Sequence, residues 1–224
     1  MNFAPASRMH PRDREVPPRV QRTPLPRRLR GSTAPARRWF GGALLLVSAL
    51  MGLQAAWLPA KAALAQGLLE TTWQQTLADG QTRRPWPWAD THAVAKLTSH
   101  RLGVSQVVLA GDSGRSLAFG PGWAESSARP GAPGTVVVSG HRDTHFRWLQ
   151  ALRDGDVLEL QTPLGQRRYA VEATRIADSR YERIAATGRD QLLLVTCWPF
   201  DATAARGPLR YLVTLRPLPR ASSR

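Results

Sequence analysis

The sequence predicts an all-β domain, a closed or nearly closed barrel with short helices, preceded by one N-terminal transmembrane helix. Three observations lead there. A chain of 224 residues has room for one ordinary domain with appendages. Residues 39–58 carry no charged side chain. From residue 91 onward, short apolar runs alternate with Gly and Pro, and seven of them have the length and composition of strands.

Residues 1–38 hold ten arginines against Asp13 and Glu15, together with seven prolines, so more than half of the formal net charge of +15 lies in this arm. Such a composition buries too little apolar surface to offset chain entropy, and the arm is expected to be disordered. Downstream, positive charge is interleaved with carboxylates and forms no basic run, which argues against a nucleic-acid partner. The stretch WFGGALLLVSALMGLQAAWL at 39–58 is long enough to cross a bilayer core of roughly 30 Å at about 1.5 Å per residue. Trp39 and Trp57 stand near its ends, and Arg37-Arg38 in front of it places the N-terminus in the cytoplasm. A cleaved leader fits less well. The apolar run is long, and Lys61 separates it from the small-residue site Ala63-Leu64-Ala65.

Residues 59–90 read as a helical stalk and a Pro/Trp linker. Over 62–77, Leu64, Leu68, Trp73 and Leu77 share one helical face, and Asp79-Gly80 closes the segment. Arg83-Arg84-Pro85-Trp86-Pro87-Trp88 then runs extended. The barrel is assigned to 91–218, with a tail at 219–224. Its expected strands are 93–97, 104–110, 135–139, 157–162, 168–173, 192–196 and 211–215. Thr162-Pro163-Leu164-Gly165 suits a tight turn joining two of them as a hairpin. On the second arm, Tyr169, Val171 and Ala173 are expected to face the core. Residues 144–152 are expected to form the one clear helix inside the domain.

Cys197 is the only cysteine, at the end of the apolar run LLLVTC, with Pro199 stopping the strand. A free cysteine is often just a small packed hydrophobe. In an exported domain without a disulfide partner, a reactive thiol is the competing reading. A thiol nucleophile usually works with a histidine. Of five histidines, His10 lies in the arm, and His92 and His100 bracket the first strand. His141 follows the strand 135–139 in SGHRDTHF, where Gly140 is expected to let the backbone turn sharply. His145 is expected at the surface. Arg210 enters the last strand on the same face as Leu212 and Thr214. Its rigid donor fork suits a developing oxyanion, although a surface ion pair is the commoner fate of arginine. Arg206 is a rival for that role.

Taken together, SGHRDT after one strand, LLLVTC ending another and an arginine thirteen residues later resemble a sortase transpeptidase over about residues 80–218. The resemblance extends to order and spacing, His141 standing 56 residues before Cys197. With the short anchor, the stalk and the PWPW segment, the chain looks most like the sortases of Gram-negative proteobacteria. The resemblance implies an eight-stranded closed barrel with His141, Cys197 and Arg210 as catalytic residues, and Thr196 and Trp198 contacting substrate. It implies cleavage of an LPxTG-like sorting signal between Thr and Gly through a thioacyl intermediate, with transfer to an amine acceptor. His141 would act as acid and then base, and Arg210 would stabilise the oxyanion. The implied partners are a protein bearing a C-terminal sorting signal, an acceptor amine and the inner membrane, with the catalytic domain in the periplasm. The chain departs from the family's TLxTC pattern in having Leu193 for the first threonine, which bears on substrate preference. No acidic calcium cluster is visible, so neither metal nor cofactor is expected. A hydrolytic cysteine peptidase and a non-catalytic, membrane-tethered peptide-binding barrel are the alternatives. A cell-wall L,D-transpeptidase is disfavoured because TCWPF does not match its nucleophile motif.

Overall fold

Runs of Val, Leu, Ala and Thr bounded by Gly and Pro fold into eight strands in the computed structural model, which describes residues 34–183, 188–202 and 207–219. They are β1 (Ala93–Ser99), β2 (Val104–Ala110), β3 (Gly122–Trp123), β4 (Thr135–Ser139), β5 (Val157–Thr162), β6 (Gly165–Asp178), β7 (Gln191–Cys197) and β8 (Leu209–Pro217). The barrel closes in the order β1-β2-β3-β4-β7-β8-β6-β5. Two neighbouring pairs, β2–β3 and β4–β7, are parallel, and the other pairings are antiparallel. Most of the expected disordered arm, the end of the tail and Arg206 lie outside the described residues.

Four expectations need correction. β3 was not foreseen, because two residues are too few to carry a periodic signal. The expected helix at 144–152 is instead a turn followed by a 3-10 segment, Arg147–Ala151, which sends Phe146 and Leu149 into the core. β6 is longer than its apolar pattern, and a register shift between Val171 and Ala173 breaks the alternation there. Tyr169 and Val171 face the core while Ala173 is exposed. The Thr162–Gly165 hairpin forms as expected, the Thr162 hydroxyl donating to the Gly165 carbonyl at 2.9 Å.

The fourth correction concerns the stalk. The chain divides after Leu50 into two units. Helix α1 (Ala34–Asp79) includes the apolar stretch and is the one described helix long and apolar enough to cross a membrane. Within the second unit its last turns pack on β1 and β2 through Leu69 and Trp73, which touch Ala93, Val107 and Leu109. Leu64, at 65% exposure, points outward instead, as does Leu68. The buried stripe is Leu69, Thr72, Trp73 and Thr76, at helical spacing. A hydrophobicity pattern misses it because two of the four are threonines. Their hydroxyls donate to the Leu68 and Gln81 carbonyls, so they pack without orphaned polar groups. Lys96 of β1 donates to Glu70 at 2.6 Å. Gly80, at φ 72°, ends the helix with its N–H on the Thr76 carbonyl.

The interior is filled by Val136, Val138, Leu158, Leu160, Leu192, Leu194, Val213 and Leu215, with Phe146 and Leu149 packed among them. A second cluster joins Ala124, Val137, Ala177, Leu193, Val195 and Leu212. Since alternate residues face opposite sides, this cluster lies on the outer faces of β4, β7 and β8. Strands buried on both sides explain the unbroken runs TVVVS and LLLV.

Two tests follow from this packing. Trp73→Ala should destabilise the chain by about 3–5 kcal/mol, whereas Leu64→Ala should change stability by less than about 0.5 kcal/mol, read from denaturant midpoints. The Arg83 guanidinium beside Asp79 pulls its carboxyl down to about 2. Arg101 does the same for Asp156 and Arg180 for Asp178, both held below the usual carboxylate range. Carboxylates lowered by folding contribute stability above their unfolded values, and that contribution is lost as pH falls through the folded ones. Tm should therefore hold steady down to about pH 5 and fall between about pH 4 and pH 2. A flat acid limb would show that these pairs contribute nothing.

Candidate active site

The outer faces of three adjacent strands end at one place. On β7, Leu193, Val195 and Cys197 share the outer side by alternation; on β4, Val137 and Ser139 do. The ladder pairs Thr135 with Gln191 and so on to Ser139 with Val195, a constant offset of 56. Gly140 continues it by donating its N–H to the Val195 carbonyl at 3.0 Å. Carried on beyond its last bond, the same offset matches position 141 to position 197, so the 56-residue spacing noted in the sequence equals the register of this ladder. On the other flank β7 pairs with β8, and Cys197 lies directly opposite Arg210. Directly opposed residues of an antiparallel pair project to the same side. Positions 141, 197 and 210 thus fall at the same end of three neighbouring strands. Cys197 is a free, half-buried thiol, and His141 is exposed.

Gly140 serves a different purpose from the one expected. Its φ is not positive, so it makes no left-handed turn. A Cβ there would sit 2.7 Å from the Phe146 ring. Phe146 is buried in the core and donates its N–H to the His141 carbonyl at 2.9 Å, which closes the turn 141–146. Close approach of backbone to ring therefore holds the His141 turn against the barrel.

Thr196 is buried, and its hydroxyl donates to the Gly140 carbonyl at 2.7 Å, tying β7 to the residue before His141. Trp198 is half-buried. It stacks on Tyr211 at 5.6 Å and meets Phe200 edge-on at 5.5 Å, and both partners pack against the interior core. Arg210 donates to the Gly207 and Leu209 carbonyls at 2.6 and 2.9 Å. Its charge also helps hold the Asp178 carboxyl below the usual carboxylate range, after the larger effect of Arg180.

Arg142 escaped the sequence reading, and His145, weighed there and expected at the surface, sits differently. Arg142 is only 4% exposed; it donates to both oxygens of Asp143 and to the carbonyls of Pro199 and Ala202. Its guanidinium holds the Asp143 carboxyl below the ordinary range. His145 is half-buried rather than superficial. Burial pushes its imidazole below the usual value, a bond to the Ala118 backbone opposes this, and His141 adds to the fall. Next to the outer apolar cluster lies a recess of about 160 Å³ lined by Asp112, Ser126, Ser139, Val137 and Val195. Among the described residues, no three His, Cys, Asp or Glu side chains converge as a metal site would require.

The model of the sortase domain family matches residues 97–217, which enclose every residue of this edge. The chain belongs to the sortase family. Sortase D of Bacillus subtilis (strain 168) is 33% identical to it over 108 residues, which make up 47% of this chain and 54% of that protein. The chain thus spans about half the length of that relative. Sortase A from Corynebacterium diphtheriae is similar with a TM-score of 0.53 at 21% identity, over 61% of this chain and 66% of that one. A Clostridium perfringens Sortase D5 transpeptidase gives 0.57 at 19% identity, covering 70% of this chain and 99% of that one. At such identities the solved structures share the sortase fold.

In this sortase domain, Gly140→Ala should lower stability by about 1–3 kcal/mol, because the new methyl forces the Phe146 ring aside. Gly67→Ala is the contrast. Its Cβ would meet nothing within 4 Å on the helix. It should raise stability by about 0.5–1 kcal/mol on the same denaturation assay.

Proposed function

We propose that the chain is a membrane-anchored cysteine transpeptidase. It cleaves an LPxTG-like sorting signal between Thr and Gly and transfers the acyl peptide to an amine. The observation that supports this reading is the shared end of β4, β7 and β8, where Arg210 pairs with Cys197 and the β4–β7 offset, carried on, matches position 141 to position 197. The signal would approach beside the outer apolar cluster, at the recess lined by Val137, Ser139 and Val195.

Cys197, as thiolate, attacks the threonine carbonyl carbon and a C–S bond forms. The oxygen gains negative charge, which the Arg210 fork stabilises. Collapse breaks the C–N bond as His141 gives its proton to the departing glycine amine, leaving a thioester. The acceptor amine then attacks that thioester. His141 takes the amine proton, the C–S bond breaks, and the thiolate returns. Thr196, with its hydroxyl on Gly140, steadies the histidine turn, and Trp198 with its aromatic partners walls the site. The arginine-rich arm and the charge-free stretch of α1 support a single span, N-terminus in the cytoplasm and barrel in the periplasm.

Full-length protein in detergent, given an LPxTG-type peptide and a small primary amine, should yield the peptide cut after Thr and joined to the amine, read by mass spectrometry. Cys197→Ala and His141→Ala should abolish this product, and Arg210→Ala should lower kcat about 100- to 1000-fold. Free acid alone, even with excess amine, would mark a hydrolytic peptidase. No cysteine-dependent turnover would leave a peptide-binding barrel.

A further inference from the structure

Arg142 is a permanent charge placed almost wholly out of water, which costs several kcal/mol unless its donors are satisfied. They are. Nε donates to Asp143 Oδ1 at 2.7 Å and Nη2 to Oδ2 at 3.0 Å. Nη1 donates to the Pro199 carbonyl at 2.6 Å and Nη2 also to the Ala202 carbonyl at 2.9 Å. An ion pair with an adjacent, mostly exposed aspartate is worth little by itself. The two carbonyls are the informative partners. Arg142 follows His141 directly, whereas Pro199 and Ala202 lie two and five residues past Cys197.

We propose that Arg142 is a positioning residue: its buried guanidinium clamps the loop leaving Cys197 to the turn carrying His141, and so sets the separation of thiol and imidazole. The inference rests on the Cys197–His141 chemistry proposed above. His141 lies beyond the last β4–β7 bond, whereas Cys197 is still paired with Arg210 and the Trp198 N–H donates to the Leu209 carbonyl at 3.0 Å, so strand pairing holds the thiol but leaves the histidine turn without ladder support. Thr196 clamps the backbone behind them, and Arg142 clamps the backbone ahead. Asp143 orients the fork from the solvent side, and its hydrogen bonds favour the guanidinium's charge against the cost of burial. A lysine at this position offers one point charge and cannot reach two carbonyls and a carboxylate together. Proton transfer between a thiol, an imidazole and a leaving amine tolerates little displacement, about 1 Å costing on the order of 100-fold in rate.

The test compares wild type, Arg142→Lys, Asp143→Ala and His141→Ala as full-length protein. Iodoacetamide alkylation of the single thiol is followed across pH, alongside kcat and KM for peptide transfer and Tm. Arg142→Lys should keep its Tm within a few degrees and lose about 10- to 100-fold in kcat with little change in KM, its alkylation profile moving toward that of His141→Ala. Asp143→Ala, a change at an exposed side chain, should lose about 3- to 10-fold in kcat and decides the matter if the lysine variant does not fold. Wild-type kcat and alkylation in the folded variants, or a loss confined to KM, would overturn the proposal. If His141→Ala alkylates as wild type does, the Cys–His pairing itself is wrong, a failure separate from that of the clamp.

Discussion

The parallel ladder between β4 and β7 cannot slip. Both strands are apolar on both sides, with Val136, Val138, Leu192 and Leu194 in the interior and Val137, Leu193 and Val195 in the outer cluster. Shifting one strand by a residue would exchange its two faces and misfit both clusters at once. The register that satisfies the packing also carries the Gly140 N–H onto the Val195 carbonyl, at the end of β4 from which the His141 turn leaves. The strand ends from which the His141 turn and Cys197 emerge are thus set by these seven aliphatic side chains, to which Thr196 and Arg142 add local bonds.

The two arginines at this edge show how environment separates roles for one residue type. Arg142 is buried and spends its donors on Asp143 and two loop carbonyls. Arg210 is half-exposed, at the position opposite Cys197, donates to the Gly207 and Leu209 carbonyls and acts on the Asp178 carboxylate through its charge. The first geometry suits holding backbone in place. The second leaves a charge at the strand position opposite Cys197.

The barrel is legible in the sequence because its strands are short, apolar and set off by Gly and Pro, and the positions of Cys197 and Arg210 are legible because both mark strand ends. Features that escape have identifiable causes. β3 has two residues. The bulge in β6 turns Ala173 outward against its alternation, a matter of pairing with β8 that composition does not encode. The stalk's buried stripe uses threonines whose hydroxyls bond the helix's own backbone or the turn after it. Gly140 is required by the Phe146 ring six residues on, not by its own dihedral angles. Arg142 escapes because its deciding partners are carbonyls some sixty residues away, and a carbonyl leaves no trace in the sequence.

The offset of 56 residues in the β4–β7 ladder also orders events in folding. Hairpins such as β5–β6 close short loops and form early, whereas a parallel pairing across so long a loop must await much of the remaining structure. A partly folded chain therefore holds a free thiol with no imidazole beside it. Such a chain is chemically naïve: whatever the edge of this barrel does, it begins to do only once the barrel is whole.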